Sequence, residues 1–323
     1  MRGRLEKNIF FNSTPLIVGG LTTFQQNFPL GRIVTRMMMR FNFVFAAGTG
    51  SGALTEAFLR IIENIHFSTD VDGLCVNAGG RALWRRAQFL NGGTLPPADA
   101  FTGSTGTYRV DIPIYFSDPR MGEFADLSAL DTTRYNNVLL QISLGGLSRL
   151  LGTPGTATVT ATVDIGWEQY AYYDEDERPA VYPFFTTRPS VNPNNQQFME
   201  LERSSDLDIK RIMIFTSDNT DIWQGTANSA VIATLSIFDN YGHVGLNGQP
   251  DDVIQRNNVE TYSIDGGLII PGLMVHDYVI GGDPLTAEHS GNKSRYQVVW
   301  TNDTPTGMFV HGAIDGVKKL DVG

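Results

Sequence analysis

A chain of 323 residues is long enough for two domains that each bury a core of their own. Its formal charge of -10 excludes broad binding to nucleic acid, which needs a basic face whose counterions can be released. Charged residues make up only 18% and glycines number 34, which suits sheets joined by many turns; the single cysteine, Cys75, excludes an intrachain disulfide and leaves the fold to stand on packing.

At the start of the chain, Arg2, Arg4 and Lys7 form a basic arm with no apolar core behind it, so it does not read as a secretion signal. Strands are predicted at Leu16 to Val18, Ile33 to Ala46, Phe58 to Phe67, Val71 to Val76, Tyr108 to Phe116, Val138 to Leu144 and Thr156 to Tyr170. The last of these alternates with period two, as a half-buried strand should. One helix is predicted, Arg81 to Leu90, entered through Gly79-Gly80 and stopped by Asn91-Gly92-Gly93. No run reaches the roughly 18 to 20 apolar residues that a membrane-spanning helix needs.

The acidic run from Asp174 to Glu177 and the stretch through Pro179, Pro183, Pro189 and Pro193 read as a linker, which divides the chain into 1–172 and 173–323. Beyond it, strands are predicted at Gln197 to Leu201, Ile209 to Phe215, Ala230 to Phe238, Tyr262 to Ile264, Leu268 to Ile280, Tyr296 to Trp300 and Gly307 to Ile314. A second helix is expected from Pro250, a good first-turn residue, with Asp251 and Asp252 favouring its positive end.

The two halves match. Ile62 to Gln88 lies over Ile232 to Asn258 at a constant offset (232 − 62 = 170), with Ile65 on Leu235, Phe67 on Ile237, Leu83 on Val253 and Trp84 on Ile254. Three pairs are identical: Ile62/Ile232, Asn77/Asn247 and Arg86/Arg256. Asp118-Pro119 has a counterpart in Asp283-Pro284 and Arg134-Tyr135 in Arg295-Tyr296, while Val34 to Met39 resembles Ile209 to Ile214. A period this long excludes short solenoid repeats and points to two domains of one design.

Chemistry-bearing motifs are weak by comparison. Gly48-Thr49-Gly50-Ser51-Gly52-Ala53 fits a loose dinucleotide turn, but a strand is expected where the crossover helix should follow, so a strand-to-strand loop is the better reading. His66, His243, His276, His289 and His311 lack metal-ligand spacing, and 174–177 lacks the alternation of a calcium loop. No nucleophile elbow, phosphate loop or Cys-x-x-Cys pair occurs, so no enzyme activity, cofactor or metal is expected. Arg81, Arg85 and Arg86 form a basic helix face; Arg2, Arg4 and Lys7 suit an anionic lipid surface or an acidic neighbour, each charge contributing about 1 kcal/mol near such a membrane, with a solvated terminus as the alternative.

Many strands with one helix per half favour sandwiches or barrels, and eight strands in two Greek keys make a jelly roll. Two such halves, each with a short inserted helix and no catalytic motif, resemble the double jelly-roll major capsid proteins of tailless icosahedral viruses, most of all those of membrane-containing bacteriophages of the corticovirus and finnlakevirus type. The resemblance covers about residue 14 to the end. It implies an all-β fold of two tandem eight-stranded barrels, upright on the capsid, with three chains forming a pseudo-hexagonal capsomer. It further implies neighbouring capsomers and minor capsid or vertex proteins as partners, an internal membrane on the side of the N-terminal arm, and residence in the virion after assembly in the host cytoplasm. Trp223, Tyr172, Tyr173 and Phe184-Phe185 are candidate interface anchors or core residues. A tandem carbohydrate-binding or adhesin protein and a bicupin-like enzyme remain as other classes.

Overall fold

A computed structural model describes residues 5–24, 28–94, 96–170, 178–179, 181–188, 191, 196–217, 232–240, 242–243, 246–250, 253–254, 273–279, 287–291, 293, 295–302 and 309–319. The first half holds β1 (Leu5–Leu16), β2 (Gly20–Phe24), β3 (Ile33–Ala46), β4 (Ile62–Thr69), β5 (Gly73–Ala78), β6 (Gly106–Tyr115), β7 (Val138–Leu144) and β8 (Thr158–Tyr170), with helices α1 (Ala57–Arg60) and α2 (Gly80–Leu90). The second holds β9 (Val181–Thr187), β10 (Phe198–Glu200), β11 (Leu207–Ser217), β12 (Ile232–Asp239), β13 (Gly242–His243), β14 (Leu273–Asp277), β15 (Tyr296–Asn302) and β16 (Phe309–Lys319).

The order of neighbours is the same in both halves. β1-β8-β3-β6 is answered by β9-β16-β11-β14, and β2-β7-β4-β5 by β10-β15-β12-β13. Two sheets in this order, closed over a shared core, make a jelly-roll barrel. The repeat extends to its irregularities. β3 slips register against β8 between Glu168 and Gln169, and β11 slips against β16 between Ile209 and Arg211. β4 slips against β7 between Ile62 and Asn64, and β12 against β15 between Ile232 and Thr234. A bulge bends its strand and must sit where the sheet curves, so its recurrence at matched positions is a signature of one blueprint used twice.

Alternation explains the first barrel. Along β3, Met37, Met39, Phe41, Phe43 and Phe45 point inward and are buried, while Met38, Arg40, Asn42 and Val44 lie on the outer face. Burial of each such aromatic contributes roughly 1.5–3 kcal/mol. β11 differs, being buried on both faces: Ile212 and Ile214 join the core of the second barrel, whereas Met213 and Phe215 join that of the first. A strand covered on both sides reads as a continuous apolar run, as Ile212-Met213-Ile214-Phe215 does.

The two barrels share a sheet. β9 pairs parallel with β5 at Phe185/Val76 and Thr186/Asn77, so one sheet runs β14-β11-β16-β9-β5-β4-β7-β2 through both halves. β9 lies inside the stretch read from its prolines as linker; that part of the reading is corrected. Pro183 stands where β9 is paired on the β16 side alone, a place where a missing N–H costs nothing.

Two smaller readings are also corrected, while the reading of the glycine-rich turn as a strand-to-strand loop agrees with the structure. Residues 58–60 form the last part of α1 rather than the start of a strand, entered through Glu56 at φ 53. β1 begins at Leu5, so Lys7 belongs to a strand rather than a loose arm. The glycine-rich turn is followed by Ser51–Ala53, which pairs with Leu151–Thr153; Gly48 and Gly52 both have positive φ, and the dinucleotide reading has no crossover helix to support it. The expected strand at 262–264 and most of the second helix fall outside the described residues, though Val253 and Ile254 are helical at the positions matching Leu83 and Trp84 of α2.

Candidate functional site at the seam between the barrels

Helix α2 is wedged between the barrels. Glycine at 79 and 80 opens it, and Gly92 and Gly93, both at positive φ, close it. Ten of its residues are buried, which an amphipathic surface helix never shows. The basic face expected at Arg81, Arg85 and Arg86 is therefore internal: Arg81 and Arg85 both pair with Glu56, and Arg86 reaches across to the second barrel.

There, Arg86 Nη2 donates to Asp315 Oδ1 on β16 at 2.8 Å and Nη1 donates to the Tyr115 carbonyl at 3.1 Å, with the guanidinium 4.9 Å from the centre of the Phe185 ring. Asp118, on the loop after β6, accepts from Lys210 Nζ at 3.1 Å and from Arg211 Nη1. Arg211 Nε donates to Asp277 Oδ2 on β14 at 2.6 Å, and Arg211 Nη1 lies 3.4 Å from Asp315 Oδ2. Three cations, Arg86, Lys210 and Arg211, thus face three carboxylates, Asp118, Asp277 and Asp315, and all six are buried.

Such a cluster persists only because it is balanced and hydrogen-bonded. Burial alone would raise the Asp118 and Asp315 carboxyls; the surrounding guanidiniums and Lys210 outweigh it and hold both below the ordinary carboxylate range. Burial would likewise lower Arg211, but Asp118, Asp277 and Asp315 hold it well above its usual value. The second oxygen of Asp118 accepts from the Arg120 amide, and that of Asp277 from the Val279 amide, so their orientations are fixed. No side chain here is a free nucleophile or base, and the chemistry is that of a lock: it fixes the angle between barrels.

The opposite face is open. On the outer side of β1-β8-β3-β6 lies a groove of about 480 Å³ lined by Lys7, Ile9, Arg36, Met38, Pro113 and Tyr115. Lys7 and Arg36 both pair with Glu168, at 2.8 and 2.5 Å. Lys7 is thus the only one of the expected arm residues among those described; Arg2 and Arg4 fall outside. Phe184 and Phe185 belong to the core and the seam, which removes them as intermolecular anchors, while Tyr172, Tyr173, Trp223 and the acidic run 174–177 fall outside the described residues. Among the described residues no group of histidines and carboxylates could hold a metal: His311 is fully buried, where burial pushes it down to about 3, and His289 pairs with Asp208 at 2.7 Å.

Sequence reading missed Asp118, Lys210, Arg211, Asp277 and Asp315 as a group. The available signal was two adjacent cations, Lys210-Arg211, inside an otherwise apolar strand, together with the recurrence of Arg86 and Asp118-Pro119 in both halves.

No family model matches the chain, and no curated protein does. Among solved structures it is similar to the major capsid protein of STIV, Sulfolobus turreted icosahedral virus, with TM-score 0.73 at 13% identity over 99% of this chain and 98% of that one. The major capsid protein P2 of bacteriophage PM2 gives TM-score 0.59 at 10% identity over 98% and 99%, and the Faustovirus major capsid protein 0.60 at 8% over 98% and 90%. In its fold, across both halves, the chain is a double jelly roll of the kind found in major capsid proteins of icosahedral viruses.

Proposed function

We propose that this chain is a major capsid protein, assembling as pseudo-hexagonal trimers into an icosahedral shell over an internal membrane. The observation that carries the reading is the span of the likeness: it covers 99% of this chain and 98% of the STIV protein, so it takes in both barrels rather than one alone. A rigid seam suits the role, because a building block that tiles a lattice must hold its two barrels at one angle. The function is lateral association without catalysis, and residues 1–172 and 173–323 are its two units.

Partners in this reading are other copies of the chain, neighbouring capsomers, minor capsid or vertex proteins and, peripherally, the membrane. Arg2, Arg4 and Lys7 are the candidate contacts on the inner side; the net charge of -10 argues that any such contact is local. The virion is its final location and the host cytoplasm its place of assembly. Light scattering coupled to size exclusion tests the core of the reading: a trimer or a shell-sized particle supports it, and a stable monomer at micromolar concentration overturns it. Deleting residues 1–7 tests the arm, with loss of binding to anionic vesicles expected and unchanged binding contradicting it.

A further inference from the structure

Register lays out the open face of the first barrel as a grid. Across β1, β8, β3 and β6 one row reads Lys7-Glu168-Arg36-Tyr115 and the next Ile9-Gly166-Met38-Pro113, while a third, over the last three strands, reads Asp164-Arg40-Asp111. Residues two apart on a strand share a face, so these rows stand side by side on the outer surface. The middle row is apolar and sunken. Gly166 is its floor, because a Cβ there would meet the Asn8 carbonyl oxygen at 2.6 Å and Ile9 Cγ1 at 3.3 Å. Ile9 and Met38, 71% and 37% exposed, stand on either side of it. Pro113, Pro96 and Pro97 line the far end, where the Asp111 amide donates to the Pro97 carbonyl at 2.8 Å. The groove of about 480 Å³ so formed lies within the roughly 300–1,000 Å³ usual for a small-molecule site, and it spans three strand spacings, about 14 Å.

The flanking rows differ in charge. In the third, Asp164 and Asp111 stand against Arg40 and Arg109, which share Asp111, so the charges balance. In the first, Lys7 and Arg36 share the single carboxylate of Glu168, and Tyr115 adds none. Burial would raise Glu168, but hydrogen bonds from Arg36 and Lys7 outweigh it and hold the carboxyl below its ordinary range. Two cations thus face one anion, and one positive charge is left over. That charge is also the outermost: the Lys7 side chain is 65% exposed and the Glu168 side chain 8%.

An occupant complementary to this groove is apolar along its length and anionic at the end near β1. We propose that the groove binds a single medium-chain aliphatic carboxylate, with its head at Lys7 and Arg36 and its chain laid along Ile9, Met38 and Pro113. Burial of the chain supplies the affinity, and the charge sets the orientation. The site belongs to one chain and does not rest on the trimer reading above.

Titration calorimetry on the full chain tests it with decanoate, kept below its micelle concentration. Butyrate, which has the charge without the chain, and decyltrimethylammonium, which has the chain with the opposite charge, serve as controls. One saturable decanoate site per chain is expected, with both controls weaker by on the order of tenfold or more. K7E and M38E alter exposed side chains, and circular dichroism checks that each is folded. Each should weaken decanoate by on the order of tenfold, and K7E should not weaken the cation. No saturable binding, equal binding of either control, or full decanoate affinity in either variant overturns the proposal. If a second copy fills the groove instead, the assembled chain binds no decanoate, which overturns it as well; light scattering on the same samples reads the oligomeric state separately.

Discussion

Arg211 is fully buried and reached by three carboxylates, a burden no other arginine among the described residues carries with so little exposure. Replacing it with methionine fills the space but leaves Asp118, Asp277 and Asp315 facing only Arg86 and Lys210. A loss of about 3–5 kcal/mol is expected, read as a lower urea midpoint with an unchanged slope; a loss below about 1 kcal/mol would show that the cluster does not hold the seam. The pH dependence follows from the same residues. Asp118 and Asp315 have lowered pKa values when folded, so their contribution is complete above the ordinary carboxylate value and is lost as pH falls through and below about 3.9. His311, pushed down to about 3 by burial and by nearby Arg81, stays neutral when folded, so protons favour the unfolded chain from pH 6.5 downward. Melting temperature should therefore decline gently below pH 6.5 and steeply below about pH 4. His311→Leu should flatten the first limb only.

At the scale of elements, α2 is the part on which both barrels depend. Gly80 sits where an added Cβ would meet Ile62 Cβ at 2.7 Å and the Leu59 carbonyl oxygen at 3.0 Å. Since Ile62 is a β-branched residue fixed in the barrel core, Gly80→Ala should cost about 1–3 kcal/mol by thermal denaturation. A neutral result would mean that α2 can slide, contrary to its wedged position. The same helix shows how much of the fold was legible. Its ends were marked by glycines, and β8 by alternation, so their limits agree closely with the sequence reading. β9 was hidden because prolines and asparagines around it imitate a linker, and only pairing with β5 and β16 makes it a strand. The turn of α1 was hidden by its apolar residues, Ala57, Phe58 and Leu59, which continue through Ile61 into β4 without a change of pattern. The seam was less legible still, because its members lie on α2, β11, β14, β16 and the loop after β6, and no local pattern connects them.

Across the whole molecule, a shared sheet and a buried ion cluster join the two barrels, so they should unfold together. Calorimetry should give one transition for the intact chain, and Arg86→Ala should lower or split it by removing the partner of Asp315 on the first-barrel side; two well-separated transitions in the unaltered chain would contradict a rigid seam. The repeated bulges and the repeated neighbour order make the chain a pair of equivalent blocks with one equivalent face still uncovered. The most direct measurement is a cryo-electron-microscopy reconstruction of the purified assembly. The expected result is a ring of six barrels from three chains. A monomer, or an assembly without that ring, would contradict the account.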